Sequence, residues 1–389
     1  MLRPNLLQSF NPKILMPGPV DKLLERIGGT VYSNCYSPAP DSPRSLACLY
    51  TGSYPQKNHC DKRIKWPKYY LNNELETIFG ILLKNRYKIS LNLSKVEEDV
   101  GFLPSTIGSK IQLYHSPRDI RIALKKFGRE NGNFFDFVTL SDYHWSMDEY
   151  GHNSLGDYLG QKHISNYLNG LFDDRDIDSF DYTILFSDHG FQLDSEMSES
   201  NLLLTNDKRS KITMFVRKKG DVELKVNNKL SGIIDILPTI ASIVGEKTPI
   251  DCEGISLFDE AEHDSIVIED HKIFGVKLDQ VIENWSVRTN KYFYFTNLVD
   301  RMLFKVNSAH DYTEILSPGK EIITSMENHI EMKSAQYVEN KKQHDILRMY
   351  QGFSSYKVPY SDGVERVDDR SNILFRLKRR MARNRYKRW

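Results

Sequence analysis

The sequence predicts an α/β protein: a mostly parallel sheet covered by helices on both faces, with a small C-terminal antiparallel sheet subdomain. Three observations carry this. Residues 182–186 and 134–140 are continuous apolar and β-branched runs, the pattern of strands buried on both faces. Between such runs lie segments with apolar residues at helical spacing, and this alternation belongs to sheets with crossover helices. Beyond Pro249 the runs shorten into strands joined by polar turns. With 389 residues, 40% hydrophobic and 11% aromatic, the chain has material for a sizeable core, which excludes wholesale disorder.

Taken in order, a helix is expected over about 20–27, stopped by Gly28-Gly29, and a short strand over 30–33. A proline-dense loop, 37–45, precedes a helix expected to start just after Ser42. Residues 73–84 place Leu75, Ile78, Phe79, Leu82 and Leu83 on one helical face. A strand over 87–91, a helix over 118–127 and the strand 134–140 follow. The last opens into a polar stretch, 141–156, ahead of a helix over about 157–172. After 182–186 come a strand over 212–217 and a helix over 230–244. Short strands are expected at 265–269, 285–288, 291–296 and 302–306. The domains are read as a core over 1–249, a small α+β subdomain over 250–330, and a helical or loose basic tail over 331–389. Residues 376–389 hold eight Arg and Lys and no acid, suiting either a solvated helix or tail or a peripheral contact with an anionic membrane.

Net charge is +1, so no global field favours nucleic acid, and none is expected as a partner. Cys35, Cys48, Cys60 and Cys252 are scattered without a CxxC pair, reading as thiols rather than a disulfide framework or zinc knuckle. No apolar run has the length of a membrane span and no signal peptide opens the chain, so a soluble, cytoplasmic protein is expected.

The chemistry gathers in three places. Asp188-His189-Gly190 closes the strand 182–186, setting an oxygen and a nitrogen ligand side by side where open α/β sheets build their sites; the bland reading is a polar strand exit. Asp148 and His152, in a D-x-x-G-H-x-x-x-G run, have a spacing that brings both to one metal on a helical turn or compact loop. Ser42, entering a helix, suits either an N-cap or a nucleophile for a phosphate or sulfate, since the unpaired N–H groups and the dipole favour an anion there.

The order of Asp41-Ser42 through Thr51-Gly52, then the run from Asp148 through Gly151-His152 to Gly156, then Ser187-Asp188-His189-Gly190 resembles the alkaline phosphatase superfamily, which includes sulfatases, type I phosphodiesterases and phosphoglycerol or phosphoethanolamine transferases. The flanking Ser37-Pro38-Ala39-Pro40 and Gly52-Ser53-Tyr54-Pro55 look like its sulfatase branch, as does 285–292 in the C-terminal sheet. The resemblance covers roughly residues 1–310. It implies a divalent ion, zinc or manganese with calcium or magnesium as the other options, at one or two per chain. Ser42 would be nucleophile and ligand, with Asp188 and His189 on the same ion. Asp148 and His152 would hold a second ion; in a competing reading His144 contacts the substrate anion. Lys211 would touch that anion, unless it is a strand-edge lysine facing solvent. His271 would be a further ligand, unless it is a surface histidine.

Two departures matter. Ser42 is followed at once by Pro43-Arg44, so the C/S-x-P-x-R frame that sulfatases need for formylglycine is absent, and an unmodified serine favours phosphoester chemistry. The family also begins with a strand ending in a metal-binding Asp. Leu2-Arg3-Pro4-Asn5 looks like the residues just past it, so Met1 is expected to be an internal start. The function implied is hydrolysis or transfer of a phosphoester with an anionic head-group or saccharide-linked substrate. The alternatives are a sulfuric ester hydrolase and a non-catalytic binding protein.

Overall fold

The apolar runs do become strands, but their directions are mixed. The computed structural model describes residues 1–61, 71–92, 111–114, 132–174, 176–193, 205–274, 280–308 and 311–351. The chain forms two compact units, 1–340 and 341–389, and every described strand belongs to the first. The strands are β1 (Gly29–Tyr32), β2 (Cys35–Tyr36), β3 (Lys88–Asn92), β4 (Ile111–Tyr114), β5 (Phe134–Val138), β6 (Tyr182–Phe186), β7 (Met214–Lys218), β8 (Leu224–Asn227), β9 (Ser231–Gly232), β10 (Ile266–Phe274), β11 (Gln280–Arg288), β12 (Tyr292–Thr296), β13 (Arg301–Ser308) and β14 (Asp311–Glu314). The helices are α1 (Pro19–Ile27), α2 (Ser42–Thr51), α3 (Pro55–Asn58), α4 (Ile78–Lys84), α5 (Asp142–Tyr150), α6 (Ser154–Asp174), α7 (Asp207–Ser210), α8 (Ile236–Ile243), α9 (Lys320–Lys333) and α10 (Ala335–Gln351).

One sheet runs β4-β3-β5, all parallel; a second runs β6-β7-β1-β8. In the second, β7 is antiparallel to both neighbours and only β1 and β8 are parallel, so the mostly parallel expectation holds in the first sheet and only in part in the second. The cause lies in the connection. Ser187 N donates to Thr213 O and Thr213 N to Ser187 Oγ, both at 3.0 Å, so the chain re-enters beside the end it left. A parallel partner would need a crossover back to the other end. β2 and β9 form a short parallel pair, and β10 to β14 form an antiparallel meander, as expected of the C-terminal sheet.

Local chemistry moves several boundaries. The helix expected over 73–84 starts at Ile78, because the Thr77 hydroxyl caps it by accepting from Gly80 N at 3.1 Å. The helix expected over 230–244 starts at Ile236. Its Asp235 carboxylate is taken up by Gly232 N (2.8 Å), Ile255 N (2.8 Å) and His263 Nε2 (2.7 Å), which holds the preceding residues in a tighter turn. The stretch after β5 holds a helix, α5, that the sequence reading did not separate from its loop. Residues 118–127 and the basic run 376–389 lie outside the described residues. Among the described residues no helix is long and apolar enough to cross a membrane.

The main core lies between α2, α4, α8 and the sheets, with Leu49, Phe79, Ile234, Leu237 and Trp285 each at most 1% exposed. A second cluster joins α1, α5 and α6 to the N-terminal segment through Leu7, Phe10, Leu24, Met147 and Phe191. The carboxylate of Asp21 accepts from Gln8 N, Ser9 N and Gly18 N and so straps residues 8–18 onto α1. Leu237 is wholly buried in α8. Leu237→Ala removes its packing and leaves a cavity, so denaturant unfolding should show a loss of about 3 kcal/mol with an unchanged m-value.

Candidate active site

The proline-dense loop delivers Ser42 to the first position of α2. The capping residue is Asp41, whose Oδ1 accepts from Arg44 N at 3.3 Å. The helix is therefore capped without the Ser42 hydroxyl, which is left for other work. That hydroxyl donates to Asp188 Oδ2 and lies 3.3 Å from His189 Nε2. Asp188 and His189 stand two and three residues past β6, at its carboxyl end. Ser45, one turn into α2, donates to the Asp188 carbonyl at 2.5 Å and accepts from Ser37 Oγ at 2.8 Å. This fixes the helix start against the strand end. Gly190 follows because nothing larger fits: a Cβ there would lie 2.2 Å from Lys208 O.

Electrostatics sharpen the pair. Burial pushes the Asp188 carboxyl up, but His189, the Met1 α-ammonium at 3.0 Å from Oδ1 and the Ser42 hydroxyl outweigh it, holding the group far below the usual carboxylate range. His189 is held below its ordinary value by burial, with Asp188 opposing, and so is neutral near pH 7. Its Nδ1 lies 2.6 Å from Gly190 O, a pure acceptor, so Nδ1 carries the proton and Nε2 turns a lone pair toward Ser42.

His144, Asp148 and His152 gather in a second group, so residues read as competing alternatives stand together. Helical spacing on α5 puts His144 Nε2 3.3 Å from Asp148 Oδ2, and His152 Nε2 reaches Asp148 Oδ1 at 4.0 Å. The His152 ring stands on the edge of Phe191 at 5.7 Å. Met1 bridges the two groups: its ammonium meets Asp188 and its Sδ touches His144 Nδ1. Arg3 lies over the Phe191 ring and Leu2 O accepts from Thr213 Oγ1, which seats the first residues here.

Asp188, His189 and the Ser42 hydroxyl supply the carboxylate, neutral imidazole and oxygen that a hard or borderline divalent ion takes, and a cationic group already sits on Asp188. The donor set therefore fits an ion. Among the described residues, no three or more His, Cys, Asp or Glu side chains converge on one point. His271 lies on β10, and its side chain falls outside the described residues.

Lys211 is not at a solvent-facing edge. It is wholly buried, its Nζ 5.8 Å from the centre of the Tyr36 ring. Burial pulls it down to about 7, with Asp207 and Cys35 opposing and Arg288 assisting. The sign follows from linkage. The unfolded chain binds this proton more tightly between about pH 7 and 10.5, so wild type gains stability as pH rises through that window. Each pKa unit is worth about 1.4 kcal/mol, so the gain is at most roughly 5 kcal/mol. Lys211→Met should lack this rise when melting curves of the two proteins are compared from pH 7 to 10.

The sequence reading also missed Arg44. It is fully buried and ion-paired to Asp41, Glu269 and Asp270, the last two of which only the fold brings near.

No family model matches the sequence, and no curated protein matches it. Solved structures do match. A protein in the alkaline phosphatase superfamily from Vibrio parahaemolyticus is 14% identical, with TM-score 0.58 over 87% of this chain and 86% of that one. A 2-O GAG sulfatase is 14% identical, with TM-score 0.61 over 91% and 92%. The phosphonate monoester hydrolase of Silicibacter pomeroyi is 13% identical, with TM-score 0.54 over 85% and 90%. At these identities the likeness shows that this chain shares the fold of these proteins.

Proposed function

We propose that this protein is a metal-dependent hydrolase or transferase of phosphoesters that uses Ser42 as its nucleophile. The observation carrying the proposal is the meeting of the Ser42 hydroxyl with Asp188 Oδ2 and His189 Nε2 at the N-terminus of α2. A divalent ion held by Asp188, His189 and Ser42 would lower the pKa of that hydroxyl and offset the charge of the ester oxygens. The chain's own part is orientation. Asp188 aims the hydroxyl, the Nδ1 contact with Gly190 O keeps Nε2 facing the site, and the positive end of α2 lies where anionic oxygens gather. Attack by Oγ on phosphorus forms a phosphoserine and breaks the ester bond, releasing an alcohol. Water or an acceptor hydroxyl then displaces Ser42 from phosphorus.

The substrate is an anionic ester with a head group or saccharide on its alcohol side. In this reading Asp148 and His152 would hold a second ion, or His144 would contact the substrate anion, and the contacts of Asp148 with both histidines support keeping the three together in the test. Phosphorus is favoured over sulfur because Ser42-Pro43-Arg44 lacks the frame in which sulfatase residues are modified. The hydrolases among the solved structures of this fold include both sulfatases and a phosphonate monoester hydrolase, so the sulfuric ester alternative is tested beside it.

Elemental analysis of protein prepared without chelator should give one or two zinc or manganese ions per chain. With bis-p-nitrophenyl phosphate, Ser42→Ala should lower turnover by at least about 10³-fold while metal is retained. Asp188→Ala should lose both. Undiminished turnover in Ser42→Ala would remove the mechanism. Release of nitrophenol from p-nitrophenyl sulfate alone would move the assignment to sulfuric esters, and a metal-free, inert protein would favour a binding role.

A further inference from the structure

The turn that carries Ser42 has few means of holding itself. Pro38, Pro40 and Pro43 have no N–H to donate, so the backbone bonds that stiffen an ordinary turn are scarce here. Besides the Ser37 and Asp41 side chains, it is held by the C-terminal sheet. Glu269 N, on β10, donates to Pro38 O at 2.9 Å. The next residue, Asp270, is 1% exposed, and both its carboxylate oxygens are engaged. Oδ1 meets Arg44 Nη2 at 3.1 Å, and Oδ2 meets Arg209 Nη1 at 2.7 Å.

Each guanidinium then grips one side of the turn. Arg44 reaches back to Asp41 Oδ2 through Nε at 2.7 Å and Nη2 at 2.6 Å. Arg209 donates from Nη2 to Pro40 O at 3.4 Å, while its own carbonyl accepts from Gly190 N at 2.8 Å, next to His189. Arg209 therefore connects the Ser42 turn to the loop that carries Asp188 and His189.

We infer that Asp270 is a positioning residue for Ser42, acting through Arg44 and Arg209 to set the distance between the Ser42 hydroxyl and the Asp188–His189 pair. The inference rests on Ser42 being the nucleophile. Asp270 touches no reacting atom. Its carboxylate is the counter-charge that both guanidiniums share, and without it Arg44 keeps Asp41 but is no longer joined to Arg209. The C-terminal sheet is thereby part of the site's geometry. Misplacing a nucleophile by a fraction of an ångström is costly in rate, whereas ester binding to the ions and the helix end is unaffected.

The test uses the full chain with its metal and Asp270→Asn, which keeps the shape and removes the charge. Turnover of bis-p-nitrophenyl phosphate should fall about 10–100-fold in kcat, with KM and bound metal unchanged. Hydrogen exchange read by mass spectrometry should show faster exchange in peptides covering 39–46 and unchanged exchange in β12 and β13. Restored kcat and protection in Asp270→Glu would support the charge itself as the cause. Unchanged exchange over 39–46, or a rise in KM with constant kcat, overturns the inference. Arg209→Lys, which alters the partly exposed arm alone, covers the case in which Asp270→Asn does not fold. It must loosen the same peptide to a smaller degree, and unaltered exchange there overturns the inference equally. The exchange measurement needs no turnover, so an inert wild type would defeat the proposed reaction while the clamp is still judged.

Discussion

The hydrogen bond from Ser42 to Asp188 joins the start of a helix to the end of a strand, and the surrounding elements act to keep those two ends together. A helix start offers unpaired N–H groups and a positive dipole end, and a strand end offers side chains that need not bury themselves in the next layer. Neither end is rigid alone. Ser45 bonds to the Asp188 carbonyl, Gly190 permits a close backbone approach, and Asp41 rather than Ser42 caps the helix. Removing any one would leave the hydroxyl near its partners without fixing its direction.

Burial gives that contact its electrical character. In water, Asp188 and His189 would be an ordinary acid and an ordinary imidazole. Within the fold, contacts with His189 and the Ser42 hydroxyl help hold the acid ionised, and desolvation lowers the pKa of the imidazole. A site made of one anion and one neutral nitrogen donor suits a cation. The second group, around Asp148, differs because it lies nearer the surface, where solvent weakens each of its contacts.

Much of this was legible in the sequence because it is local. The run before Asp188 reads as a buried strand from residue types alone, and the proline-dense entry to α2 marks where a helix starts. The direction of β7 was not legible, since it depends on where a connection returns rather than on the strand's own residues. α5 escaped notice because only Tyr143, Ser146 and Met147 are buried on it, which gives a weak apolar stripe. Lys211 reads as a solvent-facing or anion-binding lysine on charge alone, yet the packing of Tyr36 encloses it. The partners of Arg44 were out of reach because Asp270 is 226 positions away, and no pattern short of a fold links them.

That separation governs the order in which the protein can assemble. Ser42 meets Asp188 across 146 positions, and Arg44 meets Asp270 across 226. Contacts so distant along the chain require large loops to close first and form slowly. As the chain leaves the ribosome, the α2 turn and the Asp188 loop are both present well before β10 emerges. The buried guanidinium of Arg44 has Asp41 beside it from the outset but lacks Asp270 throughout that interval. Completion of the site is therefore tied to completion of the C-terminal sheet, and a chain stopped short of β10 holds Ser42, Asp188 and His189 without the contacts of Asp270 to Arg44 and Arg209.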